Sequence, residues 1–299
     1  MHRVCVTGLG AVGSLLGFFA SRGLGDPVAV IVRRREQAEV VSRMGVKLTG
    51  LISGRYEPVV YVGEPEEYCE YNIIATKAYD AEKAIEATIS KTGVFAVACN
   101  GLGPLEAAAR TGKGALGIVV DYGVTRLSDW EFSVRGLGWL TIGPLRGSEA
   151  RVEPLAEALA RGGARVRVVD DIEPYRWLKL SLNAAVNPLT ALLRAPNRVV
   201  LRERVWSIAR AACEEVAAVA RARGVELPED PLEYLRRVAE ATGENRSSML
   251  ADVEACRRTE VDYINGAVVR AAEELGLRAP VNRVLYELVK ALEEVACAG

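Results

Sequence analysis

Lys179, Asn183 and Asn187 stand four residues apart in the run WLKLSLNAAVNPLTALLRAPN, residues 177–197. That spacing lays all three along one stripe of a helix. An ammonium group beside two amides can orient a polar substrate, stabilise a developing oxyanion and donate a proton. Lysine suits the last task because burial lowers its pKa toward neutrality, whereas arginine does not release its proton in a protein. These residue types are scarce here: 7 Lys against 31 Arg, eight Asn and a single Gln. A solvated position would more often be Arg. Burying a polar stripe on an apolar helix costs stability unless it meets a partner, and a polar ligand removes that cost. Pro188 lacks an N–H, so it frees the carbonyl of Ala184 and kinks the helix. Asn197, after Ala195 and Pro196, is expected at a helix cap.

A second cluster lies in ENRSSMLADVEACRRTEVDYING, residues 244–266. Asn245 and Ser247 or Ser248 would start a helix whose free N–H groups attract a carboxylate. Glu260 follows three turns on, with Asp252 and Asp262 as alternatives. Taken alone, the segment reads equally well as a capped, charged helix.

These groups need a frame, and the two halves of the chain supply different ones. Up to about residue 171, short β-branched runs (3–8, 28–33, 72–76, 94–100 and 116–123) alternate with helical stretches (11–22, 34–44, 79–91 and 103–111). The alternation predicts βαβ units on a parallel sheet. Segments 139–143 and 164–170, flanking a helix at 148–161, extend it. From residue 172 onward helical periodicity takes over, at 174–193, 199–224, 230–241, 246–274 and 281–296. The expected architecture is α/β: an N-terminal Rossmann-type doubly wound sheet over 1–171 and an all-helical domain over 172–299.

The glycines GLGAVG at 8–13 match G-x-G-x-x-G directly after a strand and opening a helix. Gly8 permits the tight turn, Gly10 lets the backbone approach a pyrophosphate, and Gly13 lets helix pack on strand. Leu9, Ala11 and Val12 complete the loop. At the end of the second strand, where NAD sites carry Asp or Glu, stand Arg33, Arg34 and Arg35. Guanidinium groups suit a 2′-phosphate and favour NADP. Glu36 reaching back to a ribose would instead suit NAD. Lys77 and Asn100 close the third and fourth strands, at the sheet edge where such folds bind ligands.

Composition narrows the remaining classes. A net charge of −1 provides no general field for nucleic acid or an anionic membrane. His2 is the only histidine, which argues against a zinc site or a histidine triad. Cys5, Cys69, Cys99, Cys213, Cys256 and Cys297 are scattered, with no CxxC pair, and fit a reducing cytoplasm. The start, MHR before an apolar run, imitates a signal peptide, but its four glycines dilute the hydrophobicity and serve the nucleotide motif.

Together GLGAVG, Lys77, CNG at 99–101, KLSLNAAVNPLTAL with APN, and NRSSMLADVEACRRTEVDYINGAVV resemble the ketopantoate reductase family over nearly the whole chain. The resemblance implies NAD(P)H-dependent reduction of a small 2-keto acid, 2-dehydropantoate, in coenzyme A precursor synthesis, by a homodimer. It implies Lys179 as general acid, and Asn183, Asn187, Asn197 and the segment Asn245, Arg246, Ser247, Ser248 (chiefly Ser248) as substrate ligands. Asn100 then lies between cofactor and substrate, Glu260 orders the site from the cofactor side, and Arg33 binds the 2′-phosphate. Val124 falls where the family places a small residue against the cofactor. Another 2-keto acid, or a nucleotide sensor without turnover, are the competing readings.

Overall fold

The computed structural model describes residues 1–296, so Cys297 lies outside the described residues. The chain forms two compact units, residues 1–99 with 103–172, and residues 100–102 with the chain from 173 onward. The first unit begins β1 (His2–Thr7), α1 (Ala11–Leu24), β2 (Ala29–Val32), α2 (Arg35–Met44), β3 (Val46–Gly50), β4 (Gly54–Tyr56) and β5 (Val59–Val62). It continues β6 (Cys69–Ile74), α3 (Ala78–Thr88), β7 (Thr92–Val97), α4 (Pro104–Arg110) and β8 (Gly114–Val120). The last elements are β9 (Gly123–Arg126), β10 (Glu131–Gly136), β11 (Leu140–Pro144), α5 (Glu153–Arg161) and β12 (Val166–Val168).

Eight strands make one sheet in the order β12-β11-β8-β7-β6-β1-β2-β5, parallel except where β8 meets β11. The apolar runs of β1, β2 and β6 form buried interior strands, because a parallel sheet is covered on both faces. β1 pairs with β2 on one side and β6 on the other, so the strand order reverses there. Ligands of open α/β sheets bind at that reversal, beyond the carboxyl ends of the strands. Gly8 follows β1 and Lys77 follows β6, which brings two predicted positions to this edge.

Three features of this unit were not foreseen, the first being the edge strand β5 (Val59–Val62) beside β2. A second sheet, in the order β4-β3-β10-β9, packs against α1 and shares its core through Leu48, Tyr56, Phe132 and Val134. Its strands are three to six residues long and carry Lys, Arg, Glu and Gly, so they lack an apolar run to announce them. Cys5 and Cys69, 64 residues apart, form a disulfide across β1 and β6. The expectation of a reduced set of cysteines is corrected for this pair. Parallel strand pairing brought together thiols whose sequence spacing carried no sign of it.

The second unit contains α6 (Glu173–Leu193), a 3-10 turn at Asn197–Leu201, α7 (Glu203–Ala222), α8 (Pro231–Ala241), α9 (Ser248–Glu254), α10 (Asn265–Glu274) and α11 (Pro280–Ala296). α6 is buried almost all round from Trp177 to Ala191 and packs on α7, α8, α9 and α11. A helix apolar on every side belongs at the centre of a bundle. α8 starts where Asp230 accepts from the backbone N–H groups of Leu232 and Glu233, both at 2.9 Å, ahead of Pro231 at the first helical position.

The single helix expected over 246–274 is two. α9 ends at Glu254, Cys256 takes a left-handed φ of 48°, and α10 begins only at Asn265. No glycine or proline marks the break. Arg257 holds it instead, its N–H donating to the Asp252 carbonyl at 2.8 Å and its Nε to the Asp252 carboxylate at 3.0 Å.

Candidate active site

In the first unit, the glycine loop separates what the protein needs from what a ligand needs. Gly8 has φ of 99°, and a Cβ there would meet the Thr76 backbone nitrogen at 2.7 Å. A Cβ on Gly13 would lie 2.0 Å from the Gly8 carbonyl oxygen. Gly10 caps α1, and a Cβ on it would meet nothing within 4 Å. The fold therefore demands Gly8 and Gly13, while the space over Gly10 is an open cradle beside the N–H groups of Ala11, Val12 and Gly13. That arrangement fits a pyrophosphate. Leu9 is buried, and its contribution to the loop is its backbone.

The chain's single glutamine is the residue that sequence reasoning missed. Gln37, buried on α2, donates from Nε2 to the Leu9 carbonyl at 3.0 Å and to the Asp129 carbonyl at 3.1 Å. It ties the glycine loop to the turn between β9 and β10. The signal was present, since an amide spared in a chain with one Gln invites a role, but the partners are 28 and 92 residues away.

Arg33 is exposed beyond β2 and donates to Asp80 at 3.1 Å. Arg34 pairs with Asp129, which also accepts from Arg126. Lys77 is the residue ahead of α3 and makes no side-chain cap. Val124 sits in β9 paired with Val134, its side chain packed on the hydrophobic core. It belongs to the second sheet, not to the edge where Lys77 lies.

In the second unit, α6 carries Lys179, Asn183 and Asn187 as a continuous stripe. Lys179 is half-buried; Asn183 and Asn187 are 9% and 5% exposed. Neither asparagine amide hydrogen-bonds to any described residue. Neither residue contributes a fully buried, unpartnered atom, so their amides reach solvent and are open to water or a ligand. Asn100, which belongs to this unit, donates from Nδ2 to Glu260 at 3.0 Å, and Glu260 is buried. Two residues 160 positions apart, singled out separately from sequence, are thus one hydrogen-bonded pair.

The cap expected at Asn197 needs correction, and the structure chooses between the two serines offered for the start of α9. Asn197 is not a cap: it is the first residue of the 3-10 turn, and its Nδ2 donates to Thr242 Oγ1 at 3.0 Å. Its Oδ1 is buried and without a partner among the described residues. Asn245 accepts from the Asn197 N–H at 2.9 Å through its backbone. Ser247, not Ser248, caps α9, accepting from the Leu250 N–H at 3.1 Å and hydrogen-bonding Thr190 at 2.6 Å. Ser248 is exposed at the first helical position. Arg246, ahead of the cap, pairs with Glu254 at the far end of α9.

The alternative carboxylates are engaged elsewhere. Asp252 is buried against Arg257. Burial alone would raise the Asp262 carboxyl, but hydrogen bonds from Arg258 and Tyr286, with Lys290 nearby, outweigh it and hold it below the usual carboxylate range. Among the described residues no cluster of three or more His, Cys, Asp or Glu could hold a metal, and no helix is long and apolar enough to cross a membrane.

A glycine-loop nucleotide fold followed by a helical unit with a lysine–asparagine stripe defines a nicotinamide-dependent oxidoreductase. The family described as ketopantoate reductase PanE/ApbA matches residues 4–147, and its C-terminal counterpart matches 171–293. The chain belongs to the ketopantoate reductase family. It is 41% identical over 296 residues to a 2-dehydropantoate 2-reductase of Pyrobaculum aerophilum, covering 98% of this chain and 99% of that one. The crystal structure of a PanE/ApbA family ketopantoate reductase from Ralstonia eutropha is 28% identical with a TM-score of 0.88, covering 98% and 99% of the two chains. A D-mandelate dehydrogenase solved with NADH and anilino(oxo)acetate, 22% identical with a TM-score of 0.86 over 98% and 99%, shares the fold.

Proposed function

We propose that this chain reduces 2-dehydropantoate to (R)-pantoate with NADPH, using Lys179 as general acid. The observation that carries the reading is the α6 stripe: a half-buried ammonium in register with two largely buried asparagines whose amides are open to solvent and bond to no described protein group. Reduced nicotinamide, when bound, supplies a hydride to the C2 carbonyl. Lys179 stabilises the oxyanion that this creates and donates the proton that makes the alcohol. Asn183 and Asn187 orient the ketone and the distal hydroxyl through neutral donors and acceptors. Asn197 and Ser248 extend the substrate contacts, as the family resemblance implies. Glu260 fixes the Asn100 amide, which then directs its remaining groups toward substrate and coenzyme.

The open cradle at Gly10 supports pyrophosphate binding. Three arginines after β2, with no carboxylate before Glu36, support the 2′-phosphate of NADPH. Arg33 already holds the Asp80 carboxylate, an anion the phosphate would replace. A homodimer in the cytoplasm, serving coenzyme A precursor synthesis, completes the reading on the strength of the family.

The test is NADPH oxidation with 2-dehydropantoate and a panel of other 2-keto acids. Lys179→Ala should lower kcat by about 10²–10⁴-fold, the worth of an ordinary general acid, with circular dichroism unchanged. Equal turnover in both proteins defeats the role of Lys179. No wild-type turnover on any keto acid supports a nucleotide sensor, and a better substrate in the panel reassigns the specificity. Arg33→Ala should raise the KM for NADPH much more than that for NADH; equal rises would remove Arg33 from the 2′-phosphate site.

A further inference from the structure

The proline inside α6 leaves a specific debt. Pro188 has no N–H, so the Ala184 carbonyl loses its donor four residues on. Ala184 is fully buried, and water cannot replace the missing bond. Asn265 fills the gap: its Nδ2 donates to the Ala184 carbonyl at 2.9 Å. The second Nδ2 hydrogen goes to Asn282 Oδ1 at 3.0 Å. Both partners are acceptors, so a flipped amide would set oxygen against oxygen. The Asn265 Oδ1 has no partner among the described residues, and the two donated bonds therefore hold the side chain.

Asn282 is in turn fixed. Its Nδ2 donates to the Ala212 carbonyl at 3.0 Å and to Glu215 at 2.8 Å, while Glu215 also accepts the backbone N–H groups of Val281 and Asn282 at 2.8 and 2.9 Å. A buried polar chain thus runs from α7 through α11 and α10 to the carbonyl on α6. Asn265 and Asn282 are both fully buried. An aspartate of the same shape could not replace Asn265, because an ionised carboxylate donates nothing.

The place of this contact gives it a meaning beyond stability. Ala184 lies between Asn183 and Asn187, and Asn265 follows Glu260 by five residues. We propose that Asn265 is a positioning residue for catalysis: by answering the carbonyl that Pro188 frees, it sets the register of the Lys179–Asn183–Asn187 stripe against the turn that carries Glu260. The proposal rests on the reductase reading of that stripe.

The test compares wild type with Asn265→Leu and Pro188→Ala. Asn265→Leu keeps the volume and removes both donors; kcat/KM for the keto acid should fall at least tenfold, with the KM for NADPH within twofold of wild type. Pro188→Ala restores an N–H to Ala184 and releases Asn265. It should melt at or above the wild-type temperature yet lose at least threefold in kcat/KM, a combination that a purely structural role does not produce. Hydrogen–deuterium exchange over 178–190 should accelerate at least tenfold in Asn265→Leu, while the first unit is unchanged. Exchange reads how firmly α6 is held without substrate, so an unchanged rate overturns the proposal even if 2-dehydropantoate proves the wrong substrate. Should Asn265→Leu fail to fold, Pro188→Ala carries the decision. Wild-type kcat and keto acid KM in a folded variant, or unchanged exchange over 178–190, overturns the proposal.

Discussion

At residues 8–13 the groups offered to a ligand are backbone N–H groups, shaped by the absence of side chains at Gly8, Gly10 and Gly13. On α6 the offered groups are side chains, an ammonium and two amides, presented by a helix whose own bonding is completed by residues of other helices. The nucleotide loop is therefore a local object. Six residues at the junction of a strand and a helix nearly specify it, with Gln37 and the Ile31 carbonyl, which accepts from the Gly8 N–H, as distant braces. The reacting stripe is a collective object. Its supports lie 57 residues away at Ser247 for Thr190, 81 away at Asn265 for Ala184, and 160 apart for Asn100 and Glu260. A site that binds a constant cofactor can be built from backbone, whereas one that must move a proton needs side chains held at chosen positions.

The comparison can be strained first at the disulfide. Replacing both partners, Cys5→Ser with Cys69→Ser, releases a 64-residue connection and should cost about 4 kcal/mol by chain entropy. The loss should appear in denaturant unfolding of the first unit, while coenzyme affinity at 25 °C holds, because the glycine loop is shaped locally. A coenzyme Kd that weakens in step with stability would show that the loop depends on distant strands after all.

A smaller effect separates the glycines from one another. Gly13→Ala drives a Cβ against the Gly8 carbonyl and should destabilise by about 1–3 kcal/mol, the usual range for overpacking. Gly10→Ala meets only open space, so its melting temperature should match wild type. Its coenzyme KM should nevertheless rise about tenfold, or about 1.4 kcal/mol, since the methyl group occupies the cradle. If Gly10→Ala binds coenzyme normally, the pyrophosphate does not lie there.

The smallest effect is expected at the glutamine brace. Gln37→Leu leaves the carbonyls of Leu9 and Asp129 without their donor and should cost about 1 kcal/mol. Initial rates should give a severalfold higher KM for coenzyme and an unchanged KM for the keto acid. A change in the keto acid term alone would contradict the division of labour drawn here.

Much of this was legible beforehand, for identifiable reasons. Seven of the eight strands of the main sheet announced themselves as β-branched runs, all but the edge strand β5, and the glycine motif fell between strand and helix in the one context that gives it force. The stripe on α6 was visible because its residue types are rare in this chain. What stayed hidden had no local signature. The strands of the second sheet are short and charged, and the break at Cys256 carries no glycine or proline. Ser247 and Ser248 look alike in sequence, and only the bonds of Ser247 to the Leu250 N–H and to Thr190 distinguish the cap from its neighbour. Gln37 and Asn265 belong to residue types scarce in this chain and were passed over, because rarity names no partner.

From the order of its residues alone, this protein declares a nucleotide fold, a helical second half, and a lysine with two asparagines on one helical face. Those properties follow from periodicities of two and 3.6 residues and from the steric demands of glycine, all of which act over a few neighbours. The tertiary structure decided which amides are already satisfied and which remain available, that Cys5 meets Cys69, and that Asn265 answers the carbonyl opened by Pro188. Hydrogen bonds and disulfides act over a few ångströms of space, and only the packed chain brings groups dozens of residues apart within that reach.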